Sequence, residues 1–148
     1  MRNDWQKRRL FGLIRDHFGV VAGKTIAVWG LAFKPGTDDI REAPSLTLID
    51  SLLECGVNVN VHDPVANENV ARIYGDKLIY FNNPMNALIE ADGLAIVTEW
   101  KSFANPDFQT MRDLMRTPVV FDGRNIFTPS QMVQEGFTYY SIGQQPCL

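Results

Sequence analysis

Apolar positions recur at helical spacing over residues 3–19, where Leu10, Phe11, Leu13, Ile14 and Phe18 fall on one side and Gly19 supplies a stop. From Lys24 onward the pattern changes. Short apolar runs of strand length now alternate with stretches of helical period. Residues 25–29 (TIAVW) read as a strand buried on both faces. Residues 44–54 read as a helix, with Pro44 in its first turn, Leu46, Leu48, Ile49, Leu52 and Leu53 along it and Gly56 as stop. The same criteria place strands at 57–61, 78–81, 93–98, 118–121 and 137–140, and helices at 67–74, 84–91, 107–115 and 128–135.

Six short strands with helices mostly between them predict an α/β fold. It is a doubly wound, mostly parallel, Rossmann-like sheet with helices on both faces, preceded by an N-terminal helix. In such sheets ligands sit beyond the carboxyl ends of the strands. A chain of 148 residues, 45% hydrophobic and 21% charged, is long enough for one domain with an ordinary core. The opening residues include Arg2, Asp4, Lys7, Arg8 and Arg9 with no apolar run behind them, which argues against a secretory signal. No segment approaches the roughly 20 apolar residues of a membrane span. A reduced, cytoplasmic protein is the expectation. Cys55 and Cys147 lie 92 positions apart with only two histidines in the chain, so neither a disulfide framework nor a zinc site of ordinary spacing is expected. Cys55 reads as a packing residue and Cys147 as incidental.

The net charge of −3 is unevenly spread: residues 1–16 hold five basic against two acidic residues, the remainder nine against fifteen. An acidic body argues against nucleic-acid binding, which needs a broad cationic footprint. The basic start reads as a solvated helix face, with a membrane or RNA contact as the alternative.

Chemistry concentrates in the segment after the first strand, Gly30-Leu-Ala-Phe-Lys-Pro-Gly-Thr-Asp-Asp-Ile-Arg-Glu-Ala-Pro-Ser45. Strand-to-helix loops of this architecture usually run about 2–6 residues; this one is far longer. Gly30 and Gly36 are six apart with bulky Leu31, Phe33 and Lys34 between them, so it is not a dinucleotide-binding glycine turn, and no Gly-Lys-Ser/Thr makes it a P-loop. Lys34 offers a point charge for a phosphate or sugar hydroxyl, Arg41 a planar fork for phosphate, and Phe33 a surface for a sugar or base. The competing possibility is that Lys34 and Arg41 merely neutralise Asp38, Asp39 and Glu42. Asp38 and Asp39 do not form a phosphoreceiver site, since the third strand ends in Phe81-Asn82-Asn83 rather than an aspartate. Turn-forming or helix-start roles suit them better.

A second cluster, Phe121-Asp-Gly-Arg-Asn125, follows the fifth strand and sends Arg124 from the same sheet edge as Lys34. Two cations at one crevice form an anion site for a phosphate or diphosphate, unless Arg124 is consumed by Asp122 or Glu99. His62-Asp63-Pro64 ends the second strand, where Asp63 either takes a ribose hydroxyl or caps a turn; Thr98-Glu99-Trp100 ends the fourth and is placed to line the crevice.

The sixteen-residue segment 30–45 resembles the signature of the C-terminal domain of the UDP-glucose/GDP-mannose dehydrogenase family. The similarity continues through Val61-His-Asp-Pro64, Thr98-Glu-Trp100, Phe121-Asp-Gly-Arg-Asn125 and Tyr140-Ser-Ile-Gly143, covering essentially all of residues 24–143. Asn3-Asp-Trp-Gln-Lys7 resembles the end of the family's long central helix. Pro35, Ala43-Pro44 and Asp-Gly-Arg-Asn look most like the UDP-glucose 6-dehydrogenase branch.

The resemblance implies that residues 1–23 are the end of a linker helix and 24–148 a UDP-sugar-binding domain. Enzymes of this family oxidise a nucleotide-sugar C6 alcohol twice with two NAD⁺, using a separate NAD-binding domain and a cysteine found elsewhere in the longer protein. By position Phe33, Lys34 and Arg124 would hold UDP-glucose or a related nucleotide sugar, and Arg41 would reach NAD on the other domain. The full-length enzyme would be a homodimer. The chain holds no G-x-G-x-x-G, and neither cysteine lies in the family's catalytic motif, so no catalytic residue is assigned and the chain alone is expected to be inactive. Gln144 stands where relatives often carry a basic residue. The other expectation held open is a free-standing nucleotide-sugar-binding or protein-interaction module.

Overall fold

The computed structural model describes residues 2–142, with side chains from Arg8 onward. Gly143, Gln144 and Cys147 lie outside the described residues, as do the side chains of Asn3-Asp-Trp-Gln-Lys7. Helix α1 (Arg2–Phe18) precedes β1 (Thr25–Trp29), α2 (Pro44–Glu54), β2 (Asn58–His62), α3 (Asn67–Tyr74) and β3 (Ile79–Tyr80). The second half holds β4 (Gly93–Ile96), α4 (Phe108–Leu114), β5 (Val119–Asp122), α5 (Pro129–Gln134) and β6 (Thr138–Ser141). All five strand pairings are parallel, in the order β3-β2-β1-β4-β5-β6. The predicted doubly wound fold is the observed one.

The strands are buried on both faces, and successive side chains of β1 alternate between two cores. Ile26 and Val28 join Leu10, Ile14, Leu48, Leu52 and Val70 on the side of α1, α2 and α3. Ala27 and Trp29 join Leu88, Phe103, Met111 and Met132 on the side of α4 and α5. Ile14 is fully buried, so the inner face of α1 belongs to the first core. No helix among the described residues is long and apolar enough to cross a membrane.

Three expectations shift. The predicted helix over 84–91 is only a 3-10 turn, Asn86–Leu88. The carbonyl of Pro84, which a helix would present to the Leu88 N–H, instead accepts the Trp29 indole N–H at 3.0 Å. The Leu88 N–H then bonds Met85 O, and Glu90 enters the left-handed region at φ 58° and bonds Leu114 O. Strands β2, β5 and β6 each sit one residue later than the apolar pattern indicated. The pairings Trp29↔His62, Ile96↔Asp122 and Asp122↔Ser141 draw these polar residues into the ladder. Cys55, expected to pack inside, is exposed. It caps α2 beyond the buried face of Ser45, Leu48, Ile49 and Leu52, where the chain is already turning away.

Candidate functional site

After β1 the chain crosses to β2 on one side, and after β3 it returns to β4 on the other. The carboxyl ends of β1 and β4 therefore flank the point where strand order reverses, the place where such sheets bind ligands. Gly30 sits there at φ 97°, and a Cβ on it would come within 2.5 Å of Thr98 N. Only glycine lets the two backbones approach this closely. Thr98 Oγ1 donates to Ala32 O at 2.6 Å, and Ser45 Oγ donates to Leu31 O at 2.6 Å, closing the base of the long loop.

Asp63 organises that base. Its carboxylate, 2% exposed, accepts the N–H groups of Leu31 (2.7 Å) and Ala32 (3.1 Å) and the Trp100 indole N–H (3.2 Å) through Oδ2. Through Oδ1 it accepts Val65 and Ala66 N–H, both at 2.9 Å. With five donors the oxygens are fully used, so turn capping is what Asp63 does and a ribose hydroxyl has no place on it. Its neighbour His62 is buried with Nδ1 2.8 Å from Phe81 O. Burial pushes the imidazole pKa below its usual value.

From that base the loop rises to Phe33, 41% exposed, and to Lys34, whose ammonium lies 5.4 Å from the Phe33 ring centroid. Phe33 N–H bonds Asp39 O at 3.0 Å, and Asn69 of α3 donates to Asp38 O at 2.8 Å, so the loop is tied down at mid-length. Asp39 forms a turn by accepting Arg41 N–H at 3.0 Å, as its residue type suggested; the helix-start role is not seen, because α2 begins at Pro44. The Arg41 guanidinium also reaches Asp39 (Nη2–Oδ2 2.6 Å) and holds its carboxyl at about 2. The neutralising role is thus the observed one for Arg41. Among the described residues no carboxylate comes within ion-pair distance of Lys34.

On the neighbouring strand Asp122, fully buried, shapes the second cluster. It accepts Arg124 N–H (3.0 Å) on Oδ1, and Phe127 N–H (3.0 Å) and Tyr139 O–H (2.6 Å) on Oδ2. Burial first, then the adjacent carboxylate, push the Tyr139 phenol pKa upward. Arg124 meets Glu99 side-on, Nε to Oε1 at 2.8 Å and Nη2 to Oε2 at 3.0 Å. Its guanidinium keeps the Glu99 carboxyl below the usual range. Asn125 stands at φ 56°, and its Oδ1 is buried without a hydrogen-bond partner among the described residues.

The loops bearing Lys34 and Arg124 thus leave one sheet edge, on β1 and β5, with β4 between them. The sequence located both cations and offered the Glu99 pair as one alternative. It missed the reach of Asp63 and the bracing by Thr98 and Trp100. The signal was a run of polar residues directly after apolar strands, but their partners depend on strand order.

Comparison with known proteins gives a consistent result. Residues 27–129 match the family model described as UDP-glucose/GDP-mannose dehydrogenase family, UDP binding domain. A UDP-glucose 6-dehydrogenase of Pseudomonas aeruginosa is 50% identical over 97% of this chain and 33% of its own length. The UDP-glucose 6-dehydrogenase AglM of Haloferax volcanii is 42% identical over 95% of this chain and 31% of its own length. The solved UDP-glucose dehydrogenase of Pyrobaculum islandicum superposes with a TM-score of 0.79 at 33% identity, covering 93% of this chain and 29% of that one. The chain spans about a third of the length of the curated relatives it matches.

Proposed function

Since the chain belongs to the UDP-glucose/GDP-mannose dehydrogenase family, as its UDP-binding domain, we propose that it binds the UDP moiety of UDP-glucose within an NAD-dependent UDP-glucose 6-dehydrogenase. In that reading residues 24–148 form the sugar-nucleotide domain and residues 1–23 end a linker helix. The longer protein, a cytoplasmic homodimer, converts UDP-glucose and two NAD⁺ to UDP-glucuronate.

Lys34 carries the argument. It is a cation without a carboxylate partner among the described residues, raised on a tied-down loop at the switch point and flanked by the exposed Phe33 ring. Its ammonium suits a diphosphate oxygen, and Phe33 suits the flat face of a base or sugar. Arg124 adds directed donors from β5.

The residues present do not fit the cradle for NAD itself. The β1 turn is closed by the contact of Gly30 with Thr98, so no backbone space is left there for a pyrophosphate. NAD, when bound by another domain, supplies the hydride acceptor; Arg41, 87% exposed, offers it an outward-facing cation. No catalytic step is assigned to this chain, and alone it is inactive.

Titrating UDP into the chain tests the site. Lys34→Ala and Arg124→Ala each weaken UDP by roughly 1.5–3 kcal/mol, the range for hydrogen bonds to charged groups. Parent-like affinity in both variants overturns the assignment. UDP-glucose-dependent NAD reduction by the longer protein, and none by this chain, tests the activity.

A further inference from the structure

Every side chain of Thr98-Glu99-Trp100 is tied to a different strand's loop. Thr98 Oγ1 donates to Ala32 O in the loop of β1, and the Trp100 indole donates to Asp63 Oδ2 beyond β2. Glu99 lies between these two anchors and turns the other way, toward Arg124 beyond β5. The carboxylate is therefore held on a stretch of chain fixed at both sides. Arg124 is fixed at its own backbone, where its N–H bonds Asp122 Oδ1 at 3.0 Å.

We infer that Glu99 is a positioning residue for Arg124, presenting the free edge of its guanidinium to the nucleotide sugar. A guanidinium has five N–H donors. The side-on pair consumes the one on Nε and one on Nη2. The two on Nη1 and the second on Nη2 remain, directed away from Glu99, so a phosphate or sugar oxygen binds them without displacing the carboxylate. An unpaired arginine would lose its rotamer freedom on binding; this one has lost it already. Lys34, which has no such partner among the described residues, contributes charge, and Arg124 contributes direction.

The inference rests on the proposed placement of Arg124 in the UDP site, and a double-mutant cycle separates the two. UDP is titrated into the parent chain, Glu99→Gln, Arg124→Ala and the double variant, with thermal melts beside each. Glu99→Gln is expected to weaken UDP ~10-fold while its melting midpoint stays near the parent's, because half-exposed ion pairs add little to stability. In the Arg124→Ala background the same substitution is expected to cost nothing further, since a positioning residue has no effect once its target is gone. Tighter UDP binding by Glu99→Gln would mark Glu99 as a competitor and overturn the inference. Unchanged binding, or a cost that persists without Arg124, would overturn it equally. If Arg124→Ala binds UDP as the parent does, the placement of Arg124 in the site falls and takes this inference with it, while the site itself then rests on Lys34. If only Glu99→Gln is silent, the site reading stands.

Discussion

Two buried aspartates sit one residue apart from equivalent places in the halves of the sheet, Asp63 just after β2 and Asp122 at the end of β5. Each collects donors from the loop it starts, yet they support cations of opposite kind. Asp63 reaches across to the long loop of β1, whose Lys34 has no ion-pair partner among the described residues. Asp122 holds its own short turn, whose Arg124 is already paired with Glu99. A long loop gains its order from a distant carboxylate and leaves its charge available. A short turn is ordered locally, and its charge is aimed by a neighbour. The proposed site thus combines a free charge with an aimed one.

Removing each carboxylate should separate the halves most strongly. Asp63→Ala abandons five donors, and a loss of roughly 3–5 kcal/mol is expected in urea unfolding; Asp122→Ala abandons three, for roughly 2–3 kcal/mol. The milder Asp63→Asn and Asp122→Asn should keep that order. Equal losses, or a larger one at Asp122, would break the comparison. UDP binding should fall further in Asp63→Asn than in Asp122→Asn, because the longer loop has more conformations to lose when its base loosens.

Arg41 marks the outer limit of the β1 loop, where order gives way to exposure. Its pair with Asp39 is at the surface, so Arg41→Ala should leave the melting midpoint unchanged. In the longer enzyme the KM for NAD should rise while that for UDP-glucose holds. A rise in the UDP-glucose KM instead would move Arg41 to the other side of the cleft.

Much of this is legible in the sequence, for identifiable reasons. Strand 25–29 and helices 44–54 and 67–74 match residue for residue, because an apolar run or a Pro-to-Gly span bounds each one locally. The helix that the pattern predicts over 84–91 is not formed, and the pattern cannot show why, because the competitor for the Pro84 carbonyl, the Trp29 indole, lies 55 positions away. The cationic residues stood out by type and by the length of their loop. What Asp63 binds did not, since Leu31 and Ala32 become its neighbours only when β1 and β2 pair. Sequence located the charges; Arg41 is spent locally on Asp39, whereas the pairing of β4 with β5 decides that Arg124 meets Glu99.

The smallest expected effect concerns acid, and it too differs between the halves. The residue before Asp63 is His62, whereas the residue before Asp122 is the apolar Phe121, and both are buried. Burial lowers the His62 pKa in the folded chain below its ordinary 6.5. The unfolded chain therefore binds a proton that the folded chain refuses, and stability must rise with pH through that interval. It is fully present above about 6.5 and declines as pH falls toward the folded value. The β5 half instead has the Glu99 carboxyl, lowered by Arg124, and the Asp107 carboxyl, lowered by the Thr110 N–H it caps, and both contribute stability that is lost only as pH falls below the ordinary carboxylate range. Urea midpoints followed from pH 7.5 to 5 should thus fall in the parent chain. His62→Gln keeps an N–H for Phe81 O but cannot titrate, so its midpoint should fall less steeply. The same decline in both proteins would place the acid-sensitive group elsewhere and remove this distinction between the halves.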